Sequence, residues 1–554
     1  MTLIPRPGRL VGLERLRLRS RLPLVLLGGV AMGLSWQPYN WWPLLLVGLP
    51  AFTLGVFRLQ RLRQAFGLGY VFGLVMLSVT INWLHVLGFP VMAALILFES
   101  LFFGCLGIGI SLVTRLRVWP LGVACLWVLC EFGYSRIPFG GFGWTRIGYA
   151  AVDTPLSGFF PIVGVVGVSF LVALTGQLVA WFTLHVLGQR VAEDPIRLRT
   201  AVPAAALVFV LVGTGLGLQH WQNEPLAGTK GSVNVGIVQG NVPGRGMEAM
   251  GRARTVTNNH LRETIKLTLK VREGITPQPD FILWPENSTD IDPLLDSQTR
   301  AVVQSATQLA DRPILVGAVM AGPGEDERQT TALWWDPTRG VLARYDKRNL
   351  VPFGEWIPFR DELLPVIPML KLVGAQSIPG TKPGVLHVPL TDGRRIAVGD
   401  VICFELAYDT TVYQTMTNGA QLLMVQSNNA TYGGTGQIEQ QFAITRARAM
   451  ESRREIAVAT TNSVSGFIDR DGRVVFRTKQ FTADSAVRAL PLRTSLTPAV
   501  RFAPWLDLAL ALAGGVFLLL GFLARRRADR ASFGLVRENG GQPDLSRPEK
   551  EAAE

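Results

Sequence analysis

The chain has 554 residues, of which 48% are hydrophobic and only 17% are charged. This composition is too apolar for a purely soluble protein of this length, and the length is too great for one domain. The net charge of +13 does not indicate nucleic-acid binding, because much of it stands in short arginine clusters beside apolar segments. The four cysteines show no spacing typical of a zinc site or a disulfide framework.

Apolar windows near 20 residues long predict eight membrane-spanning helices, since each is long enough, or nearly so, to cross a hydrocarbon core. They lie at about residues 22–38, 41–57, 66–88, 91–113, 118–133, 160–187, 201–218 and 504–523. The window at 118–133 is the weakest, because it is short and ends in Glu131. Nothing resembles a cleaved signal peptide, so the first span is expected to be an uncleaved anchor.

Arginine clusters in the loops give an independent prediction of orientation. With eight spans, all of them fall on one side, and that side is expected to be cytoplasmic. They are Arg6, Arg9, Arg15, Arg17, Arg19 and Arg21; Arg58, Arg61 and Arg63; Arg115 and Arg117; Arg190, Arg197 and Arg199; and Arg525, Arg526 and Arg527.

This orientation predicts five regions, with both termini cytoplasmic. They are a basic N-terminus (1–21), a seven-span domain (22–218), an extracytoplasmic domain (219–503), an eighth span (504–523) and a disordered cytoplasmic tail (524–554).

The extracytoplasmic block alternates short strands with helices, which predicts an α/β layered domain with its sheets covered by helices. Strands are expected at 233–239, 281–284, 313–319, 331–335, 341–345, 396–402, 420–425, 456–461, 467–468 and 474–476. Helices are expected at 255–272, 297–309 and about 437–453.

Residues 352–380 do not fit this alternation. The segment holds several prolines and many apolar residues, and exposing each aliphatic side chain forgoes roughly 1.5–3 kcal/mol of burial. Two interpretations stay open: a segment folded onto the domain core, or a mobile arm that touches the membrane or a lipid chain.

Three candidate catalytic residues follow predicted strand ends, which are rigid platforms for loops that share a cleft. They are Glu286 in Trp284-Pro285-Glu286-Asn287, Lys347 in Tyr345-Asp346-Lys347-Arg348, and Cys403, the one cysteine between residues 219 and 503. Together they suffice for acyl transfer: Glu286 takes the thiol proton, Cys403 attacks a carbonyl, and Lys347 stabilises the oxyanion.

In this order, the three residues resemble the Glu–Lys–Cys triad of the nitrilase (carbon–nitrogen hydrolase) superfamily, which implies a four-layer αββα sandwich. With eight spans around such a domain, the chain is similar to the bacterial apolipoprotein N-acyltransferase family over about residues 20–523. The most specific shared motif is Leu350-Val351-Pro352-Phe353-Gly354-Glu355. Others are Val238-Gln239-Gly240-Asn241-Val242-Pro243, Ile402-Cys403-Phe404-Glu405, Ser427-Asn428-Asn429-Ala430 and Phe142-Gly143-Trp144. The implied fold class is a multi-span α-helical membrane domain plus an α/β extracytoplasmic domain.

The resemblance implies a role for each residue that matches the family's motifs. Glu286 would be the general base, Lys347 the oxyanion-stabilising residue and Cys403 the nucleophile, with Glu355 and Glu405 as supporting acids. The sequence departs from the family pattern at two places where substrate would be held: Phe404 replaces a tyrosine, and Tyr432-Gly433 replaces a Trp-Phe pair. Further candidate substrate-binding residues are Trp356, Asn428, Arg136 and Arg146, of which either arginine would suit a phospholipid phosphate.

The implied reaction is a ping-pong acyl transfer in the bacterial inner membrane. Cys403 would take a fatty acyl chain from a phospholipid and pass it to the α-amine of a diacylglyceryl-cysteine on an apolipoprotein. No cofactor, metal or nucleic-acid partner is implied.

Other functions stay open at this stage. His260 or His387 is an alternative base for the thiol, and His85 and His185 are expected at the membrane interface. Glu99 lies inside a predicted span, where an acid is costly and often functional. A membrane-anchored amidase that hydrolyses its thioester, or a non-catalytic membrane scaffold or transporter, would share much of this sequence.

Overall fold

A computed structural model describes residues 18–191, 198–221, 229–242, 244 and 254–539. A helix lies at each of the eight predicted apolar windows. These helices are α1 (Leu18–Ser35), α2 (Leu45–Val56), α3 (Leu62–Thr80), α4 (Phe89–Val113), α5 (Trp119–Tyr134), α6 (Phe160–Val191), α7 (Leu198–Trp221) and the last helix, α13 (Pro498–Asn539).

Five apolar helical segments are long enough to cross a membrane by length and composition: Leu62–Thr80, Phe89–Val113, Pro155–Val186, Val202–His220 and Pro498–Arg530. Three shorter apolar helices accompany them within the described residues: Ser20–Ser35, Trp42–Val56 and Trp119–Tyr134. The total of eight spans therefore stays a prediction.

Arginines from four separate segments meet at one end of these helices. The Arg21 guanidinium donates to the Phe57 carbonyl at 2.8 Å, and Arg58 Nε donates to the Thr114 carbonyl at 2.9 Å. Arg115 and Arg525 donate to the carbonyls of Leu59 and Gln60. Arginines from four of the five clusters that predict the orientation thus share one end of the bundle. Arg6, Arg9, Arg15, Arg17 and Arg197 lie outside the described residues.

The segment between α7 and α13 holds thirteen described strands and five further helices. The strands are β1 (Thr229–Gln239), β2 (Phe281–Leu283), β3 (Ile314–Ala321), β4 (Glu327–Asp336), β5 (Gly340–Asp346), β6 (Gln376–Ser377), β7 (Val385–Pro389), β8 (Arg395–Ile402), β9 (Leu422–Ser427), β10 (Ile456–Thr460), β11 (Gly466–Ile468), β12 (Val474–Arg477) and β13 (Asp484–Arg493). The helices are α8 (Thr255–Arg272), α9 (Ser297–Ala310), α10 (Arg360–Leu363), α11 (Asp409–Thr417) and α12 (Gly436–Ser452).

The strands form two sheets packed face to face. One has the order β13-β1-β2-β3-β4-β5, with β6 paired to β4, and the other has the order β12-β11-β10-β9-β8-β7. Apolar side chains from both sheets share one buried core, including Leu283 and Trp334 from the first sheet and Met424 and Ala457 from the second. This is the packing of a sandwich, in which inward-facing residues of the two sheets interdigitate.

Helices cover both outer faces of the sandwich. Leu267 of α8 and Val303 of α9 pack on the first sheet against Ile282. Val412 of α11 and Ile444 of α12 pack on the second sheet, in a core that continues into the membrane helices. The predicted four-layer αββα sandwich beside a helical membrane domain is confirmed.

The segment 352–380 is partly folded and partly exposed. Ile357 and Leu370 are buried, but Phe359, Val366 and Leu372 expose 66%, 75% and 62% of their surface. Phe139, from the loop after α5, packs against the Phe359 ring at a centroid distance of 5.9 Å. The segment is therefore anchored on the domain and also presents apolar side chains next to the membrane part.

The prediction of a disordered tail from residue 524 is wrong as far as residue 539. The last helix continues through Asn539, because Ala524–Arg530 is rich in helix-forming alanine and arginine, and an Arg525–Asp529 ion pair of 3.7 Å supports it. Residues 540–554 lie outside the described residues.

Candidate active site

Cys403 stands at a sharp turn directly after strand β8. Its φ angle is +54°, a left-handed conformation that is uncommon for residues other than glycine, and a short turn of 3-10 helix runs over Cys403–Ala407. Backbone strain of this kind persists only where the surrounding structure holds it. The turn therefore fixes Cys403 at the end of strand β8, where it packs against the core between the two sheets.

Glu405 holds this turn against the loop that carries Lys347. Its carboxylate accepts the backbone N–H of Ile402 at 2.9 Å and that of Arg348 at 2.7 Å. It also accepts the hydroxyl of Tyr345, which lies 2.8 Å from Glu405 Oε1 and 2.9 Å from Glu405 Oε2. Burial raises the pKa of Glu405, although these donors lower it. Glu405 accordingly positions the Cys403 turn relative to strand β5.

Lys347 lies between two carboxylates. Its Nζ is 2.9 Å from Glu286 Oε1 and 2.7 Å from Glu355 Oε1, and the lysine side chain is only 1% exposed. Burial opposes the charged form, but Glu286 and Glu355 outweigh it and hold the pKa of Lys347 well above its ordinary value. The ammonium is therefore charged and fixed in place.

The second oxygen of each carboxylate is fixed by a backbone donor. Glu286 Oε2 accepts the N–H of Asn428 at 2.7 Å, and Glu355 Oε2 accepts the N–H of Val351 at 2.7 Å. These bonds determine which way the two carboxylates face the lysine. They also bring the loops after β2, β5 and β9 together.

The Cys403 thiol lies in the same cluster. Its Sγ is 3.8 Å from Asn429 Oδ1, and that oxygen accepts the Ser427 hydroxyl at 3.0 Å. The pKa of the thiol is raised to about 12: burial is the largest cause, the Glu286 carboxylate also raises it, and Lys347 lowers it. The resting side chain is a neutral thiol, so nucleophilic attack requires a base to take its proton.

The structure thus brings Glu286, Lys347 and Cys403 together with Glu355 and Glu405. This arrangement contains a carboxylate, a fixed cation and a thiol, three groups with which acyl transfer can be carried out. Among the described residues, no group of three or more His, Cys, Asp or Glu side chains is arranged to hold a metal ion.

Four of the candidate substrate-binding residues lie around this cluster. Phe404 is buried against the ring of Trp144, and Tyr432 contacts the edge of the Trp83 ring. Asn428 contributes its backbone N–H to Glu286. Trp356 packs against Phe139 at the start of the 352–380 segment, with a centroid distance of 6.0 Å.

The two candidate arginines have other partners. Arg146 is buried, and its guanidinium lies 2.7 Å from Asp409 and 3.5 Å from Glu131. The prediction that Arg146 binds a phospholipid phosphate does not fit, because its side chain is only 5% exposed and its guanidinium already pairs with Asp409 and Glu131. Arg136 is half-exposed and pairs with Asp507 at 2.6 Å.

Neither histidine of the outer domain lies beside the thiol. His260 is buried in α8, where its Nδ1 is 2.7 Å from the Val256 carbonyl and its ring packs on Trp284. Burial lowers the pKa of His260 to about 4. His387 lies exposed on strand β7. Of the three candidate bases, Glu286 is the one that lies in the cluster with Lys347 and Cys403.

Several residues of the site escaped the sequence prediction. The roles of Asn429 and Tyr345 become visible only through their contacts, although Asn429 lies in a motif that the sequence shares with the family and Tyr345 lies two residues before Lys347. Arg448 of α12 donates to the Leu406 carbonyl, in the Cys403 turn, at 2.8 Å. This contact spans 42 residues and has no local sequence signal.

Comparison with known proteins agrees with this architecture. Residues 279–495 match the carbon-nitrogen hydrolase family, and residues 28–178 match the apolipoprotein N-acyltransferase N-terminal domain. An amidase from Nesterenkonia sp. AN1 of the nitrilase superfamily aligns over 50% of this chain and 96% of its own, with 16% identity and a TM-score of 0.36. The family match over residues 279–495 identifies the outer domain as a carbon–nitrogen hydrolase domain.

Relatives over nearly the whole length define the family. The chain is 35% identical to the apolipoprotein N-acyltransferase of Mycolicibacterium smegmatis over 90% of this chain and 85% of that protein. It is 29% identical to the apolipoprotein N-acyltransferase of Ralstonia nicotianae, over 92% and 94% of the two chains. The chain belongs to the apolipoprotein N-acyltransferase family and is an acyltransferase.

Proposed function

We propose that this protein carries out the N-acylation step of lipoprotein maturation. It transfers a fatty acyl chain from a membrane phospholipid to the α-amine of a diacylglyceryl-cysteine at the N-terminus of an apolipoprotein. The observation that carries this proposal is the buried cluster of Glu286, Lys347 and Cys403 in a domain packed against apolar helices.

The first half-reaction forms a thioester. Glu286 takes the Cys403 proton as Sγ attacks the ester carbonyl of the phospholipid, and Lys347 stabilises the resulting oxyanion. The tetrahedral intermediate then collapses, and Glu286 returns the proton to the departing alkoxide of the lysophospholipid. Attack by sulfur and loss of the alcohol leave the acyl chain on Sγ.

The second half-reaction forms the amide. The α-amine of the apolipoprotein attacks the thioester carbonyl, and Glu286 takes a proton from the attacking nitrogen. Collapse of the second oxyanion, again beside Lys347, expels the Cys403 sulfur, which regains a proton. The enzyme returns to its resting thiol, so donor and acceptor use one site in turn.

The supporting carboxylates act on the triad and not on the substrate in this scheme. Glu355 holds the Lys347 ammonium together with Glu286, and Glu405 fixes the turn that carries Cys403. Phe404, Tyr432, Trp356 and Asn428 are the nearest candidates for substrate contact.

We place the arginine-rich helix ends and both termini in the cytoplasm and the segment 219–503 on the outer side of the inner membrane. The meeting of Arg21, Arg58, Arg115 and Arg525 at one end of the bundle supports this orientation. The opposite helix ends carry Thr80 and Gly164, which contact the catalytic domain. Both lipid substrates would then reach the site at the outer membrane surface.

The test is N-acylation of a diacylglyceryl lipopeptide by the purified full-length protein with phospholipid. Cys403→Ser is expected to abolish the product. Cys105→Ser, in helix α4, is the matched control and is expected to keep wild-type activity. Full activity of Cys403→Ser would contradict the mechanism, and release of free fatty acid in place of the acylated amine would indicate hydrolysis.

A further inference from the structure

Gln440 of α12 joins the catalytic domain to the membrane domain through every polar atom of its side chain. Its Oε1 accepts the indole N–H groups of Trp83 at 2.9 Å and Trp144 at 2.8 Å. Its Nε2 donates to the carbonyls of Gln37 at 2.8 Å and Thr80 at 2.6 Å. Gln37, Trp83 and Trp144 lie in segments between membrane helices, and Thr80 is the last residue of α3.

The chemistry of these partners fixes the orientation of the amide. An indole N–H only donates and a backbone carbonyl only accepts, so exchanging the oxygen and nitrogen of Gln440 would place like groups together at all four contacts. Gln440 is 3% exposed, and a buried amide with all four hydrogen bonds made is costly to disturb. It thus sets the positions of both tryptophans.

The two tryptophans continue into an aromatic group beside the nucleophile. The Trp144 ring stacks on Phe404, the residue after Cys403, at a centroid distance of 5.9 Å and an interplanar angle of 15°. Phe142 stacks on Phe404 at 5.9 Å, and the Trp83 ring meets Tyr432 edge-on at 5.2 Å. We call Trp83, Phe142, Trp144, Phe404 and Tyr432 the aromatic wall.

This wall gives the site an apolar side built largely from the membrane domain. The wall borders the nucleophile at two places: Phe404 follows Cys403 in the same 3-10 turn, and the Tyr432 N–H donates to the carbonyl of Asn429, whose side chain lies 3.8 Å from the Cys403 sulfur. Ring surfaces are a favourable environment for the methylene groups of an acyl chain. Stacked and edge-on rings keep their geometry only while their partners stay in place. Trp83 and Trp144 have their indole nitrogens fixed by a single residue.

We propose that Gln440 is a positioning residue that holds the aromatic wall, and that the wall selects the acyl donor by contact with its chain. This inference rests on the proposed acyl-transfer function. Gln440 touches neither the triad nor the substrate; it acts through Trp83 and Trp144. The membrane domain is thereby part of the donor specificity of the catalytic domain.

The test compares two phospholipid donors, one with octanoyl and one with palmitoyl chains, in single-turnover formation of the Cys403 thioester by the full-length protein. The wild type is expected to react faster with palmitoyl. In Gln440→Met the ratio of the palmitoyl rate to the octanoyl rate is expected to fall at least about fivefold. A change of this size corresponds to losing the contacts of one or two methylene groups. If Gln440→Met does not fold, Trp144→Phe takes its place in the test. This variant keeps a ring but loses the indole N–H, and it is also expected to lower the ratio of the palmitoyl rate to the octanoyl rate.

The matched control is Glu439→Gln, one residue earlier on α12, whose carboxylate pairs with the exposed Arg477. It is expected to keep the wild-type ratio. An unchanged ratio in Gln440→Met, or no chain-length preference in the wild type, would overturn the inference. Absence of the thioester in the wild type would instead overturn the proposed function.

Discussion

Replacing Lys347 with methionine is expected to separate the structural role of this residue from its chemical role. The ammonium is buried between Glu286 and Glu355, at 2.9 and 2.7 Å. Methionine has a similar length, so the main change is the loss of one charge between two carboxylates.

Two magnitudes follow from this geometry. Removing one partner of a buried ion pair costs about 3–5 kcal/mol, because a charge is left without compensation. Glu355 is 15% exposed, so water relieves part of this cost and the lower end of the range applies. Loss of a donor to the oxyanion is expected to lower the rate of acyl transfer by about 100- to 1000-fold.

A second variant distinguishes the two effects. Lys347→Met combined with Glu355→Gln removes one of the two facing charges, so it is expected to regain part of the lost stability and none of the activity. Denaturation midpoints in detergent measure the stability of each variant, and single-turnover thioester formation measures its activity. Recovery of activity in the double variant would refute the assignment of Lys347 to the oxyanion.

The pH dependence of this stabilisation has a definite sign. The folded-state pKa of Lys347 is raised above the unfolded value of about 10.4. The stabilisation of the folded protein by charged Lys347 is therefore complete at any pH below the pKa of the unfolded state. It is lost only as the pH rises through the pKa of the folded state. The stability difference between wild type and Lys347→Met should be constant from about pH 6 to pH 9; a decline over that range would contradict it.

Three further predictions follow from the site. Glu286→Gln should abolish thioester formation in a single turnover, because the neutral thiol then has no base to take its proton; a thioester formed at the wild-type rate would contradict this. Arg448→Met breaks the buried pair with Glu451 and should destabilise the protein by about 3–5 kcal/mol in detergent unfolding. Arg477→Met breaks the exposed pair with Glu439 and should cost at most about 1 kcal/mol. Equal losses of stability in the two variants would refute this prediction. Glu405→Gln should cost about 1–3 kcal/mol of stability, because the amide N–H₂ of glutamine faces backbone donors. It should also lower the rate of thioester formation at least tenfold. Wild-type stability together with a wild-type rate would contradict the positioning role of Glu405.

Much of the fold could be predicted because its elements carry local patterns. The helix at 255–272 has the bounds of α8, and the strands before Glu286 and Cys403 lie where alternating or continuous apolar residues placed them. Strand β13 was missed, because Asp484–Arg493 contains Pro491 and several polar residues. Its place is set by antiparallel pairing with β1 along Val233–Gln239, a contact between segments some 250 residues apart.

The chemistry of the site could be predicted, but its packing could not. A cysteine, a glutamate and a lysine after strand ends predict a shared cleft, since strand ends are fixed by the sheet. The partners of Arg146 and Gln440 come from the docking of two domains, with separations of 263 residues for Arg146–Asp409 and 357 for Gln440–Trp83. A single sequence contains no pattern for such contacts.

The central claim is that Cys403 carries the acyl chain. Mass spectrometry of the Cys403 peptide, after incubation of the full-length protein with phospholipid alone, tests it most directly. An adduct with the mass of the donor's fatty acyl group, removed by added lipopeptide, is the predicted result. An unmodified Cys403 in a preparation that still acylates the lipopeptide would contradict it.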